Sequence, residues 1–205
     1  GDVYKRQSMY NVAIGANAGL SVTTATGVTL IGGLSGDALT TGGSNVAVGK
    51  SALSAETGGA ANVAVGLGTL AAQNVNGVAY NTAVGHETGG AITSGVGNTL
   101  IGGIAGDALT DADNNVALGY LALSADTLGS VSTAIGKSAL ANQNFTTATN
   151  SFNVAVGAGA GEQVTTGTLN TLVGALSGDA LTEGNNNTAV GYLSLSTDTL
   201  GQRNT

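Results

Sequence analysis

The strongest constraint on this chain is a five-residue motif that returns eleven times. "NVAVG" stands at Asn45–Gly49, Asn62–Gly66 and Asn153–Gly157, among near-copies such as "NTLIG", "NTAVG", "NVALG" and "STAIG". Counted at its terminal glycine (Gly15, Gly32, Gly49, Gly66, Gly85, Gly102, Gly119, Gly136, Gly157, Gly174, Gly191), the spacing is 17 residues, widening to 19 and then 21 after the fourth and eighth units. A fixed short period marks a stacked repeat architecture, in which each unit buries its apolar side only against its neighbours.

A second period lies over the first. "SGDALT" at Ser35–Thr40 returns as "AGDALT" at Ala105–Thr110 and as "SGDALT" at Ser177–Thr182. Four unlike units therefore make a block of about 70 residues, and residues 11–205 hold eleven units in nearly three blocks. Residues 1–10 fit no unit, and "GDVYKRQ" resembles the translated adapter remnant at the ends of metagenomic gene fragments. The chain stops two residues into another unit, so the expected organisation is a leader over 1–10 and a repeat region over 11–205 cut at both ends.

Numbering each unit from its Asn gives every column a physical reading. Position 4 is always aliphatic and position 2 is always Val or Thr. β-Branched residues suit strands, and side chains two apart share a face. The expected element is a short strand at positions 2–4, stacked in register as an all-β parallel β-solenoid, a β-roll of 17-residue coils. Strands ~4.8 Å apart would carry eleven such coils over roughly 50 Å. Positions 2 and 4 are expected to form the core. Position 3 is then outward, a column of Ala and Leu that includes Ala47, Ala64, Ala83, Leu100 and Ala117. An exposed apolar stripe marks an interface, so this column is expected to contact another subunit.

Position 1 is Asn in nine of eleven units, Val28 and Ser132 being the exceptions. Stacked amides form hydrogen-bond ladders, so Asn45, Asn62, Asn81, Asn98 and Asn115 are expected to be structural. Position 5 is always Gly, as at Gly49, Gly66, Gly85, Gly102 and Gly119, which suits a corner at positive φ or a close backbone approach. The return half is ambiguous. In the first two units of a block position 9 is Gly and position 12 Val, Ile or Leu; in the last two position 9 is Leu and position 12 Glu, Asp or Gln. An anchor that alternates by three residues fits either a strand or one helical turn.

Composition removes several function classes. Hydrophobic residues are 42% and charged residues 8%, unlike a disordered chain. Lys and Arg total 5 against a net charge of −7, so nucleic-acid binding through counterion release is not expected. Without cysteine there is neither disulfide nor thiolate metal site. No apolar run reaches the ~18 residues of a membrane span.

The candidate chemistry is thin, and no catalysis or cofactor is expected. "GLGTLA" at Gly66–Ala71 imitates a dinucleotide fingerprint, but a new unit starts before any βαβ element could close. His86 is the single histidine, at a column that otherwise varies freely. Asp107, Asp111 and Asp113 offer the hard oxygen ligands calcium takes. Their spacing matches no calcium loop and the set is not repeated in the other blocks, which favours a solvated acidic edge.

The motif N-[VT]-A-[VI]-G, with strings such as "NTAVGYLSLS" and "NTLIGGIAGDALT", resembles the head repeat of trimeric autotransporter adhesins. It resembles more closely the repeat regions of bacteriophage tail fibres, over Asn11 to Thr205. The resemblance implies a homotrimer of β-rolls, extracellular or on a virion surface, working as the structural shaft of a fibre. Such a shaft could also make weak contacts with a cell-surface glycan through its variable turns, with Tyr120, Tyr192, Phe145 and Phe152 the first aromatics to test; packing between subunits or over the inserts is the equal alternative for these rings. Adhesin heads repeat at about 14 residues rather than 17, and no neck, stalk or anchor is visible. Two alternatives carry different expectations: a self-assembling filament of solenoids stacked head to tail, and, ranked below it, a ligand- or ice-binding solenoid.

Overall fold

The computed structural model describes residues 10–205. All of the expected leader but Tyr10 lies outside the described residues. The repeat region is a parallel β-solenoid in which every 17-residue unit forms one coil, and no helix occurs among the described residues. Eleven three-residue strands form one sheet: β1 (Val12–Ile14), β2 (Thr29–Ile31), β3 (Val46–Val48), β4 (Val63–Val65), β5 (Thr82–Val84), β6 (Thr99–Ile101), β7 (Val116–Leu118), β9 (Thr133–Ile135), β11 (Val154–Val156), β12 (Thr171–Val173) and β13 (Thr188–Val190). Each pairs with the next at identical coil positions, as Val46↔Val63 or Leu100↔Ala117. Where the eighth coil is lengthened, β10 (Thr149–Asn150) pairs with β8 (Gly129–Ser130) at the end of the seventh coil as a two-stranded ledge.

The two faces of the strand are the reverse of the expectation. Ala47, Ala64, Ala83, Leu100 and Ala117 at position 3 are completely buried inside the chain's own coils, so they are core and not a subunit interface. Positions 2 and 4 point outward, half-buried by their neighbours or exposed. The reason is the thinness of the coil. Position 3 faces position 9 across the interior: a Cβ placed on Gly36 would lie 2.8 Å from Leu30, and one on Gly106 would lie 3.0 Å from Leu100. Leucine at position 3 (Leu30, Leu100, Leu172) is present only where position 9 is Gly. Where position 9 is Leu, as at Leu53, Leu70, Leu123 and Leu140, position 3 shrinks to Ala. Close packing admits one large side chain across that gap, not two.

The return half is neither strand nor helix. Positions 7 and 9 take left-handed φ in every coil, for example Ser51 and Leu53 at +55°, and position 17 does so too, as at Ala61 (+61°). Left-handed φ costs a non-glycine residue roughly 1–2 kcal/mol, which inter-coil hydrogen bonds offset. Ser51 N–H donates back to Gly33 O at 2.9 Å, whereas Leu53 N–H donates forward to Thr69 O at 3.0 Å. The main chain thus pairs alternately with the coil behind and the coil ahead, as a strand would, through alternating turns.

The expected Asn ladder is present and does two things. Along the axis, the N–H of Asn98 donates to Asn81 Oδ1 at 2.8 Å and that of Asn115 to Asn98 Oδ1 at 2.9 Å. Within the coil, every ladder Asn except Asn62 also donates Nδ2 to the carbonyl at position 15, as Asn45 to Gly59, Asn98 to Ala112 and Asn115 to Gly129. The amide therefore closes its own coil while stacking on the next. The position-5 glycines sit at φ between 128° and 142°, and at each of them except the last, Gly191, the carbonyl of the next glycine lies where a Cβ would stand. No other residue fits that corner without moving the stack.

Candidate functional site

With the strand facing as it does, the surface the sequence places most regularly is the outer sheet face. Position 4 runs along it as an unbroken aliphatic column from Ile14 to Val190. Ile14, Ile101, Leu118 and Val190 are 59%, 38%, 42% and 69% exposed. Beside the column, position 2 alternates irregularly between Val and Thr. Ten strand spacings of ~4.8 Å make the face roughly 48 Å long, and about five residues of ~3.3 Å rise, counting the flanking positions, make it near 17 Å wide. It carries no charge on its strand positions.

The edges of that face carry most of the exposed aromatics. Tyr80 and Phe152 stand at position 17, just before β5 and β11, and Tyr120 and Tyr192 at position 6, just after the corner glycines following β7 and β13. All four are exposed. Phe145 is not: it is 6% exposed, with its ring over Gly129 beneath the insert, so it is unavailable for the glycan contact the sequence suggested.

The remaining candidates stay apart. Asp111 accepts a hydrogen bond from the Ser94 hydroxyl at 2.7 Å, Asp113 accepts the Val96 N–H at 2.8 Å, and Asp107 lies at a different part of the coil. Among the described residues, no group of three or more His, Cys, Asp or Glu side chains is placed to hold a metal ion. Burial beside Glu87 holds Asp107 above the ordinary carboxylate range, despite a backbone hydrogen bond that opposes the shift. One buried oxygen of Asp107 lacks a hydrogen-bond partner, as does its counterpart in each other block, Asp37 and Asp179. Asp107 and Glu87 border a shallow groove with Gly68, Ala71 and Gly90; Lys137, Ser138 and Glu162 border a similar groove one block on. His86 and Glu87 form an exposed pair at 3.8 Å. "GLGTLA" is the corner and turn of the fourth coil, with Gly66 stacked on Gly85 and no helix behind it.

Sequence reasoning did not find the buried polar relay in the second half of the first two blocks. Asp126 Oδ1 accepts the N–H groups of Gly129 and Phe145, and Oδ2 accepts Gln143 Nε2. Gln143 Oε1 in turn accepts Asn153 Nδ2. Glu56, Gln73 and Asn81 repeat the arrangement one block earlier. Burial raises the Asp126 carboxyl above its ordinary 3.8, against the opposing effect of its hydrogen bonds to Gln143, Phe145, Gly129 and Thr127. The signal was available: an acid at position 12 in one coil is followed by Gln at position 12 in the next, as in Glu56/Gln73 and Asp126/Gln143.

Comparison with family models, with characterised proteins and with solved structures gives no match. Among the described residues no helix is long and apolar enough to cross a membrane.

Proposed function

We propose that this chain is a structural shaft segment of an extracellular or virion fibre, working as a homotrimer whose protomers meet through their outer sheet faces. The supporting observation is the unbroken aliphatic column at position 4, which the fold leaves on the surface along the whole described sheet. A face of about 48 by 17 Å offers roughly 800 Å², the area each partner contributes to a stable interface. A partner that matches this stripe over its full length must share its rise of ~4.8 Å per strand, and a second copy does so by construction. The role is mechanical: rigid spacing supplied by the Asn ladder, the glycine corners and the continuous inter-coil pairing. The fibre location rests on the resemblance of the N-[VT]-A-[VI]-G motif.

Light scattering tests the assembly. A mass three times the 19.6 kDa chain is expected, and Val84→Lys with Ile101→Lys is expected to reduce it to one chain while circular dichroism stays unchanged. A monomer from the unsubstituted chain overturns the reading. Filaments in micrographs that lengthen with concentration favour end-to-end stacking instead.

A further inference from the structure

The ladder makes this fold depend on asparagine, a chemically labile residue. Its side-chain amide is lost when the main-chain nitrogen of the next residue attacks the side-chain carbonyl and closes a five-membered succinimide. Closure needs an uncommitted N–H on the next residue, a side-chain amide that is not held, and room beside the next Cα. The coils deny the first of these almost everywhere.

After every asparagine from Asn11 to Asn187 but one, the next N–H donates a hydrogen bond. In the ladder the strand pairing does this: Val46 N–H, after Asn45, donates to Asn62 O at 2.8 Å, and Thr99 N–H, after Asn98, to Asn115 O at 2.8 Å. Outside the ladder other acceptors serve. Val75 N–H, after Asn74, donates to the Glu56 carboxylate at 3.1 Å, and Ser151 N–H, after Asn150, to Ser130 O at 2.9 Å. Near the chain end Thr205 N–H donates none among the described residues, but the Asn204 amide before it is held by Asn187 and Asp198.

The exception is Asn76, in the extension that lengthens the fourth coil, and it heads the only Asn-Gly pair in the chain. Both residues are exposed. Among the described residues the Gly77 N–H donates no hydrogen bond. The side-chain hydrogen bonds of this stretch belong to Glu56, Gln73, Asn74 and Asn81, and none involves Asn76. Gly77 sits at φ 125°, with nothing within 4 Å of where a Cβ would stand, so its nitrogen is unhindered. The stretch is fixed on either side instead: Val75 N–H is held by Glu56, and Gly77 O accepts the Ala60 N–H at 2.9 Å.

We propose that Asn76 is a self-modifying site, at which the Gly77 main-chain nitrogen displaces the side-chain amide. The nitrogen gives up its proton to solvent and bonds to Asn76 Cγ; the Cγ–Nδ2 bond breaks and ammonia leaves. Water then opens the succinimide at one carbonyl or the other, giving aspartate or isoaspartate. One water is consumed and one ammonia released, with no change of oxidation state. The product adds one negative charge to a chain of net charge −7, on the approach to the exposed Tyr80 at the edge of the outer face. Isoaspartate also puts one more carbon into the main chain between Val75 and Gly77, the two residues tied to Glu56 and Ala60.

The folded chain and a guanidinium-unfolded sample are incubated side by side in mildly alkaline buffer, and peptide mapping with electron-based fragmentation follows each asparagine. A hydrogen bond of ordinary net strength holds an N–H back by roughly two- to tenfold. With no such bond after it, Asn76 is expected to convert at folded and unfolded rates within about twofold of each other. Asn150, also exposed but followed by the tied Ser151 N–H, should slow on folding by roughly two- to tenfold more than Asn76 does. Asn76→Gln replaces an exposed side chain that has no partner and enlarges the ring to be closed, so position 76 should stay an amide over the same period. Conversion of that variant at the original rate means direct hydrolysis and overturns the attack by Gly77. An Asn76 that converts when unfolded but not when folded overturns the site. Equal slowing of Asn150 and Asn76 on folding overturns the tied N–H as the protection.

Discussion

The sixth and seventh coils are neighbours with the same backbone and opposite interiors. The sixth fills its core with Leu100 at position 3 and Leu109 at position 12, around Gly106. The seventh has Ala117 at position 3, Leu123 at position 9, and the carboxyl of Asp126 where Leu109 would be. Both place position 9 at nearly the same left-handed φ, 56° for Gly106 and 54° for Leu123. Glycine in the sixth coil is therefore not a backbone requirement. It is there because Leu100 occupies the space its side chain would need. One backbone thus supports two solutions to a narrow core, an all-apolar one and one that hydrogen-bonds a buried acid.

Removing the large side chain from the apolar solution should have the greatest effect. Leu100 reaches over the glycines of two coils, Gly89 and Gly106. Leu100→Ala should cost about 2–5 kcal/mol, toward the upper end because the cavity spans both coils. The urea midpoint of the variant against the unsubstituted chain measures it. A loss below about 1 kcal/mol would mean that the coils close over the gap.

Converting one solution into the other is the sharper test. Gly106→Leu alone should cost about 1–3 kcal/mol, because its Cβ would come within about 3 Å of Leu100 and Leu109. Combined with Leu100→Ala it should recover part of that loss, since the pair matches the Ala117/Leu123 volumes at positions 3 and 9 while Leu109 still crowds the new side chain. The expected coupling is about 0.5–3 kcal/mol in the favourable direction. Strict additivity would show that positions 3 and 9 do not share space.

That pairing also explains which parts of the fold were legible in the sequence. The period, the strand at positions 2–4, the Asn ladder and the glycine corner each depend on local residue types, and each could be read directly. The facing of the strand was misread, because three residues give little alternation and Thr at position 2, as at Thr82 and Thr99, was grouped with Val as a β-branched core residue. Reading β-branched residues as core then put Val46 and Val48 inside and Ala47 outside, the reverse of the structure. The missing signal was volume: Leu30, Leu100 and Leu172 each accompany a Gly at position 9 six residues on. The return half was ambiguous because residues such as Leu53 and Leu123 adopt left-handed φ, which side-chain type alone does not announce. The outer face became legible as a surface only once the core was assigned.

The smallest expected effect separates the two solutions by pH. Asp126 is buried and its carboxyl is raised above 3.8, burial outweighing the donors that face it. A folded-state pKa above the unfolded value means that the native state holds the proton more tightly. The contribution is fully present below about 3.8 and is lost as pH rises through the raised value. Asp126→Asn removes this titration, and its Oδ1 still accepts from Gly129 and Phe145. Its Nδ2, however, faces Gln143 Nε2, donor against donor, an offset present at every pH. The melting temperature of the unsubstituted chain relative to Asp126→Asn should therefore fall as pH is raised from below 3.8 into the neutral range. Leu109→Gln, in the coil whose position 12 carries no acid and whose Asp107 is common to both chains compared, should show no such relative slope. If the slope at Asp126 runs the other way, the N–H donors of the relay outweigh burial, and the polar coil is held together by its charge rather than in spite of it.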